Sequence, residues 1–270
     1  MALYAYGCVS GLLVDAGASG TRVCPVYEGY CLPHAARSSP VGGDAVIGYL
    51  KHLEEGAGAG TKTEETNGEE EDELKRRGCY VAQDYEMELH HHHHHHHHQG
   101  SEVTEYRLPD GSTVAVGDQR FRSGELLFRP ALHGYSDPGA HILALSSLQA
   151  CNGNDLHNHL DNHILNDLGN DLLSDLQSAP ECSLQRLLLG NVCVCGGMSL
   201  LPGFPERLQG ELVRLVPQGS AVQLLSARGR HCSAWLGGAV ASCLSSFKPL
   251  WITSAQYREE GSSAVLTRCY

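Results

Sequence analysis

The sequence predicts an α/β fold, and three observations carry that expectation. Residues 11–15 form a short apolar run, residues 16–20 a glycine-containing turn and residues 21–26 a second strand, which together read as a β-hairpin. Residues 105–116 give another hairpin with Asp110-Gly111 at its turn, a pair that tolerates positive φ. The apolar run 187–194 ends in Cys195-Gly196-Gly197, and Pro202-Gly203 then leads into residues 205–216. There Leu208, Leu212, Val213 and Leu215 recur at helical spacing, so the segment reads as strand, glycine turn and helix. Residues 235–244 follow as a helix of small residues whose glycines permit close packing. At 270 residues the chain is long enough for one large or two ordinary domains.

Three stretches depart from this pattern. Residues 54–73 hold nine acids and one lysine, which accounts for -8 of the net charge of -12. With hardly a hydrophobic residue to offset ordering entropy, they are expected as a flexible acidic insert. Nine histidines, His90 to His98, are expected as a surface loop that binds metal in vitro without the geometry to select one ion. Residues 152–180 contain six copies of a period-four unit, beginning Asn154-Asp-Leu-His. On a helix its apolar positions would drift by ~40° per copy, so it reads as a repeat insertion.

Composition excludes several classes. The 19 Lys and Arg residues are scattered in a chain of net charge -12, which argues against nucleic acid as a partner. No run reaches the ~18–20 apolar residues of a membrane span. The eleven cysteines are odd in number and mostly isolated, and the first residues have no basic or long apolar leader. A reducing compartment is therefore expected. Cys193 and Cys195, without a second Cys or His pair nearby, read as buried strand thiols and not as zinc ligands.

The remaining words resemble the actin family. They are Leu3-Tyr4-Ala5, the stretch 11–17, Pro25-Val-Tyr-Glu-Gly-Tyr-Cys-Leu-Pro-His34, Leu108-Pro-Asp-Gly111, and Arg120-Phe-Arg122 with Glu125, Leu127-Phe128 and Pro130. Cys195-Gly-Gly197, Pro202-Gly203, Trp235-Leu-Gly-Gly238 and the ending Arg268-Cys-Tyr complete the series, in the family's order. The resemblance implies an actin-like ATPase-domain fold of the ribonuclease H-like kind, comprising the second large domain and the C-terminal part of the first. The opening portion of the first domain is expected to be missing. The implied organisation is 1–34 as the start of the second large domain with a remnant phosphate hairpin, 35–53 helical, 54–73 the acidic insert and 74–89 a helix. Residues 90–101 are the histidine loop, 102–151 a hairpin with a helical segment, and 152–180 the repeat insert. Residues 181–231 form the strand, glycine turn and helix, and 232–270 return to the first domain.

Actin resembles the sugar-kinase and heat-shock ATPases in holding ATP and a divalent cation between two domains. The resemblance places a remnant nucleotide site at Asp15, Gly17, Gly196 and Gly197. Glycine-turn N–H groups cradle phosphate, and a carboxylate orients hydrated Mg²⁺. The family motif reads Asp-x-Gly-Asp, and Ala18 stands where the second carboxylate would be. Arg22 replaces a histidine near the attacking water, and Lys75 and Arg76 replace the Lys-Glu pair that faces the purine. No catalytic residue and no resident cofactor are therefore expected, with a weak Mg-ATP site as the alternative.

Actin's binding proteins insert an amphipathic helix into an apolar cleft, and the matching positions are Tyr4, Gly7, Leu236, Val240, Leu244 and Leu250, all apolar or small. The expected function is a non-catalytic structural or partner-binding component of cytoplasm and cytoskeleton, engaging actin or actin-binding proteins. The alternative is an ATP-binding relative that assembles into or with actin filaments and hydrolyses ATP slowly.

Overall fold

The computed structural model describes residues 1–56, 78–95, 104–107, 113–151 and 182–268. The repeat insert, most of the acidic insert, the last histidines and the Lys75-Arg76 pair lie outside them.

The central sheet runs in the order β3-β2-β1-β7-β8, with β4 also paired to β2. Its strands are β1 (Gly11–Ala16), β2 (Thr21–Tyr27), β3 (Tyr30–Cys31), β4 (Arg37–Ser39), β7 (Val192–Cys195) and β8 (Leu224–Leu225). The first two are the expected hairpin, antiparallel with Asp15 opposite Arg22. Parallel pairing joins β1 to β7 and β7 to β8. All four residues of β7 are buried, as a parallel strand covered on both faces requires. A separate hairpin pairs β5 (Thr104–Arg107) with β6 (Thr113–Val116), and the turn expected at Asp110-Gly111 lies outside the described residues.

Helix α5 (Ala140–Gln149) buries Ala140, Leu143, Ala144, Ser147 and Leu148, the spacing of one helical face, and lays that face on β2 and β4. Helix α7 (Phe204–Leu215) follows Gly203 (φ 83°) and carries Pro205 in its first turn. It buries Phe204, Leu208 and Leu212 against α5. Leu12, Val14, Leu188, Val192 and Val194 join these helices in one continuous core. The second helix, α2 (Gly43–Gly56), packs on α4 (Gln119–Glu125). At the far end α1 (Ala2–Ala5) lies against α8 (Ser233–Cys243), and α9 (Ser254–Glu260) and α10 (Ser263–Arg268) follow.

Several boundaries differ from expectation. The segment expected as helical from residue 35 holds β4 before α2 begins at Gly43, and within 74–89 residues 79–84 are not helical, the helix starting only at Tyr85. The apolar run 187–194 is not one strand: its first residues end α6 (Cys182–Leu189), and Gly190-Asn191 turns the chain into β7. A helix end and a buried strand share the same apolar composition, so periodicity does not separate them over so short a span. The histidine run is not a loop from its start, because α3 (Tyr85–His95) continues through six of its residues. Asp84 accepts the Met87 N–H at 3.0 Å, Tyr85 is buried, and histidine has a middling helix propensity that does not stop a helix already begun. Likewise α2 runs to Gly56, three residues into the segment expected as a flexible insert.

Candidate functional site

The parallel register sets Asp15 beside Cys195, so β1 and β7 end level and their following turns emerge side by side. In open α/β sheets this is where ligands enter, at the carboxyl ends of strands. Gly196 (φ 87°) makes the approach close. A Cβ there would stand 2.3 Å from the Ala16 carbonyl oxygen and 2.5 Å from Asp15 Oδ1, so no other residue fits. Asp15, Gly17 and Gly196 are thus brought together, and Gly197 is exposed with nothing within 4 Å of its open side.

The first turn is seated on a helix. The Gly17 N–H donates to the Gly20 carbonyl at 2.9 Å. The carbonyls of Gly17 and Ala18 accept the N–H groups of Gly43 and Asp44 at 3.0 and 2.9 Å, at the start of α2. These donors, which a phosphate would seek, are spent within the fold. Ala18 is exposed and offers a methyl group. The turn therefore supplies one carboxylate, Asp15. The Cys195 thiol, hydrogen-bonded to that carboxylate, is pushed up to about 12 by burial and by the neighbouring charge. This set does not complete a divalent-cation site of the kind that uses a carboxylate pair. Among the described residues, no three His, Cys, Asp or Glu side chains gather as metal ligands.

Two residues that sequence reasoning passed over hold the second turn. Ser199 is fully buried and its hydroxyl donates to the Gly196 carbonyl at 2.7 Å. Arg230 then donates to the Ser199 carbonyl from Nη2 at 2.6 Å and from Nε at 3.1 Å. Nothing in the spacing of residues 199 and 230 signals that pairing.

The second candidate surface is apolar. On α8 Ser233, Gly237 and Ala241 are buried, and a Cβ on Gly237 would lie 1.9 Å from the Met1 carbonyl oxygen, so α1 meets this helix backbone to backbone. Tyr4 of α1 is half-buried, while Gly7 is exposed with φ 71°. The neighbouring face of α8 carries Leu236 and Val240, exposed by 42% and 45%, and Leu244 and Leu250 just beyond the helix are exposed to the same degree. Trp235 (74%) and Trp251 (51%) add further apolar area to solvent. All six expected cleft positions thus fall on α1, α8 or the segments that follow each. Among the described residues, no helix is long and apolar enough to cross a membrane.

Level strand ends, paired glycine turns and the α1–α8 contact are joined by a match along the sequence: a family model described as Actin covers residues 1–270. The chain belongs to the actin family.

Proposed function

We propose that this actin-family chain is a non-catalytic, partner-binding component of the cytoplasmic cytoskeleton, and that the exposed face of α8 receives an amphipathic helix from an actin-binding protein. The observation that carries the proposal is the solvent exposure of Leu236, Val240, Leu244 and Leu250 on one stretch of chain. Apolar area of this kind on an otherwise well-packed molecule marks an interaction surface, and a helix laid on it would bury its own apolar face. Loss of the second carboxylate at Ala18 supports the non-catalytic half of the reading, because phosphoryl chemistry depends on several charges and donors acting together.

A second reading is a nucleotide-binding relative that assembles with actin filaments. It is favoured by the close approach of Gly196 to Asp15 and Ala16.

Both tryptophans of the chain, Trp235 and Trp251, are exposed on or near the α8 surface, so their fluorescence reports on its occupation. Titration with an amphipathic helical peptide from an actin-binding protein should shift Trp emission to the blue, and Leu236→Asp should remove the shift. Absence of saturable binding to any such peptide or to actin would end the first reading. Calorimetric titration with Mg-ATP, using a chain lacking His90 to His98, separates the two: saturable heat supports the second reading.

A further inference from the structure

Cys24 and Cys31 are free thiols whose sulfur atoms stand 2.9 Å apart. Register explains the approach. Val26 pairs with Cys31 across β2 and β3, and Cys24 shares the face of Val26, so Cys24 is the diagonal neighbour of Cys31. Cys31 is exposed and Cys24 half-buried, whereas Cys79, Cys151, Cys193 and Cys195 are buried. A disulfide needs Cα atoms within ~7 Å. The two residues of β3 lie at the sheet's edge, so the backbone there can adjust.

We propose that Cys24 and Cys31 form a reversible oxidation site, closing an intramolecular disulfide by exchange with a small disulfide of the glutathione class. The Cys31 thiolate attacks one sulfur of glutathione disulfide, breaking its S–S bond, releasing one glutathione thiolate and forming a mixed disulfide. Cys24 gives its proton to solvent and its sulfur attacks Cys31 Sγ, releasing the second glutathione. Two protein thiols are oxidised and one glutathione disulfide is reduced to two thiols. The order of attack follows from the environment. The hydrogen bond from Cys24 holds the Cys31 thiol at about 7, while Cys24 is pushed up by that same contact and by burial. The product ties β2 to β3 just below the hairpin tip, where the N–H groups of Glu28 and Gly29 bond Ser10 Oγ at 2.8 Å and the Val9 carbonyl at 2.7 Å.

The test uses the full chain equilibrated in glutathione redox buffers at neutral pH, quenched by alkylation and digested with trypsin. Residues 23–37 form one tryptic peptide holding both cysteines. The expected product is that peptide two hydrogens lighter and unalkylated, restored by a dithiol reductant. Cys24→Ser should stop the reaction at a glutathione adduct on Cys31. The folded chain should close the bond at a ratio of oxidised to reduced glutathione at least about tenfold lower than the chain in urea. Independent alkylation of the two thiols, adducts in place of the linked peptide, or equal ratios in both states would overturn the proposal.

Discussion

Arg207 and Glu125 meet through two parallel hydrogen bonds, Nη1 to Oε2 at 2.9 Å and Nη2 to Oε1 at 3.0 Å, with the carboxylate wholly withdrawn from water. Nη1 also donates to the Ala82 carbonyl at 2.7 Å, Nε to Glu211 Oε1 at 2.7 Å, and the guanidinium lies 5.1 Å from the Phe128 ring centre. One side chain of α7 thereby joins α4 and the irregular segment before α3. Burial raises the Glu125 carboxyl above its usual range although Arg207 opposes the rise.

Breaking that pair from one side leaves Glu125 with only the longer Arg129 contact at 3.4 Å, or Arg207 with only Glu211. Arg207→Leu and Glu125→Leu should each cost about 3–5 kcal/mol of stability in urea unfolding. The double variant should cost clearly less than their sum, and strict additivity would mean that the pair is not coupled.

His141 stacks on Phe128 at 5.7 Å, and its Nδ1 is buried without a hydrogen-bond partner. Burial holds its pKa below the ordinary histidine value, with Glu211 opposing and Arg207 and Arg129 reinforcing the shift. A depressed folded pKa means that the unfolded chain binds the proton first. The stability is therefore complete above about pH 6.5 and is lost as the pH falls through the lower folded value. His141→Phe should lose less stability than the parent between pH 7 and 5, and parallel profiles would refute the assignment.

The two adjacent glycines of the second turn should respond differently. Gly196→Ala forces a Cβ against the Ala16 backbone at positive φ and should cost at least about 2 kcal/mol. Gly197→Ala meets open space and should stay within about 0.5 kcal/mol of the parent. Equal melting temperatures for the two variants would show that the turn relaxes.

Tyr6 carries a further expectation. Its hydroxyl donates to the Val194 carbonyl at 2.5 Å and accepts the Ala227 N–H at 3.2 Å, and burial raises its pKa. Tyr6→Phe should cost about 1–3 kcal/mol, because both partners lose their hydrogen bond. A neutral change would mean that solvent replaces the hydroxyl.

What the sequence made legible is local. The β1–β2 hairpin and the Gly196 turn follow from alternation and from glycine's unique tolerance of close backbone approach, both readable within a few residues. What escaped is either ambiguous over a short span, as with Leu187 to Leu189 ending a helix, or assembled from distant chain. Arg207 and Glu125 are 82 positions apart, Arg230 and Ser199 31 apart. Cys24 and Cys31 read as isolated cysteines because a diagonal contact depends on the register of β3, which only the folded edge fixes. Most of the acidic insert, the repeat and Lys75-Arg76 fall outside the described residues.

The close approach of Gly237 to the Met1 carbonyl has a consequence for how the molecule opens. Backbone held at such short range has no side-chain cushion through which one helix can loosen while the other stays in place. The two helices therefore form a single cooperative unit, and their hydrogen-bonded amides should share one opening free energy in deuterium exchange. A partner seated on the outer face of α8 would slow opening throughout α1 as well, including residues it does not cover.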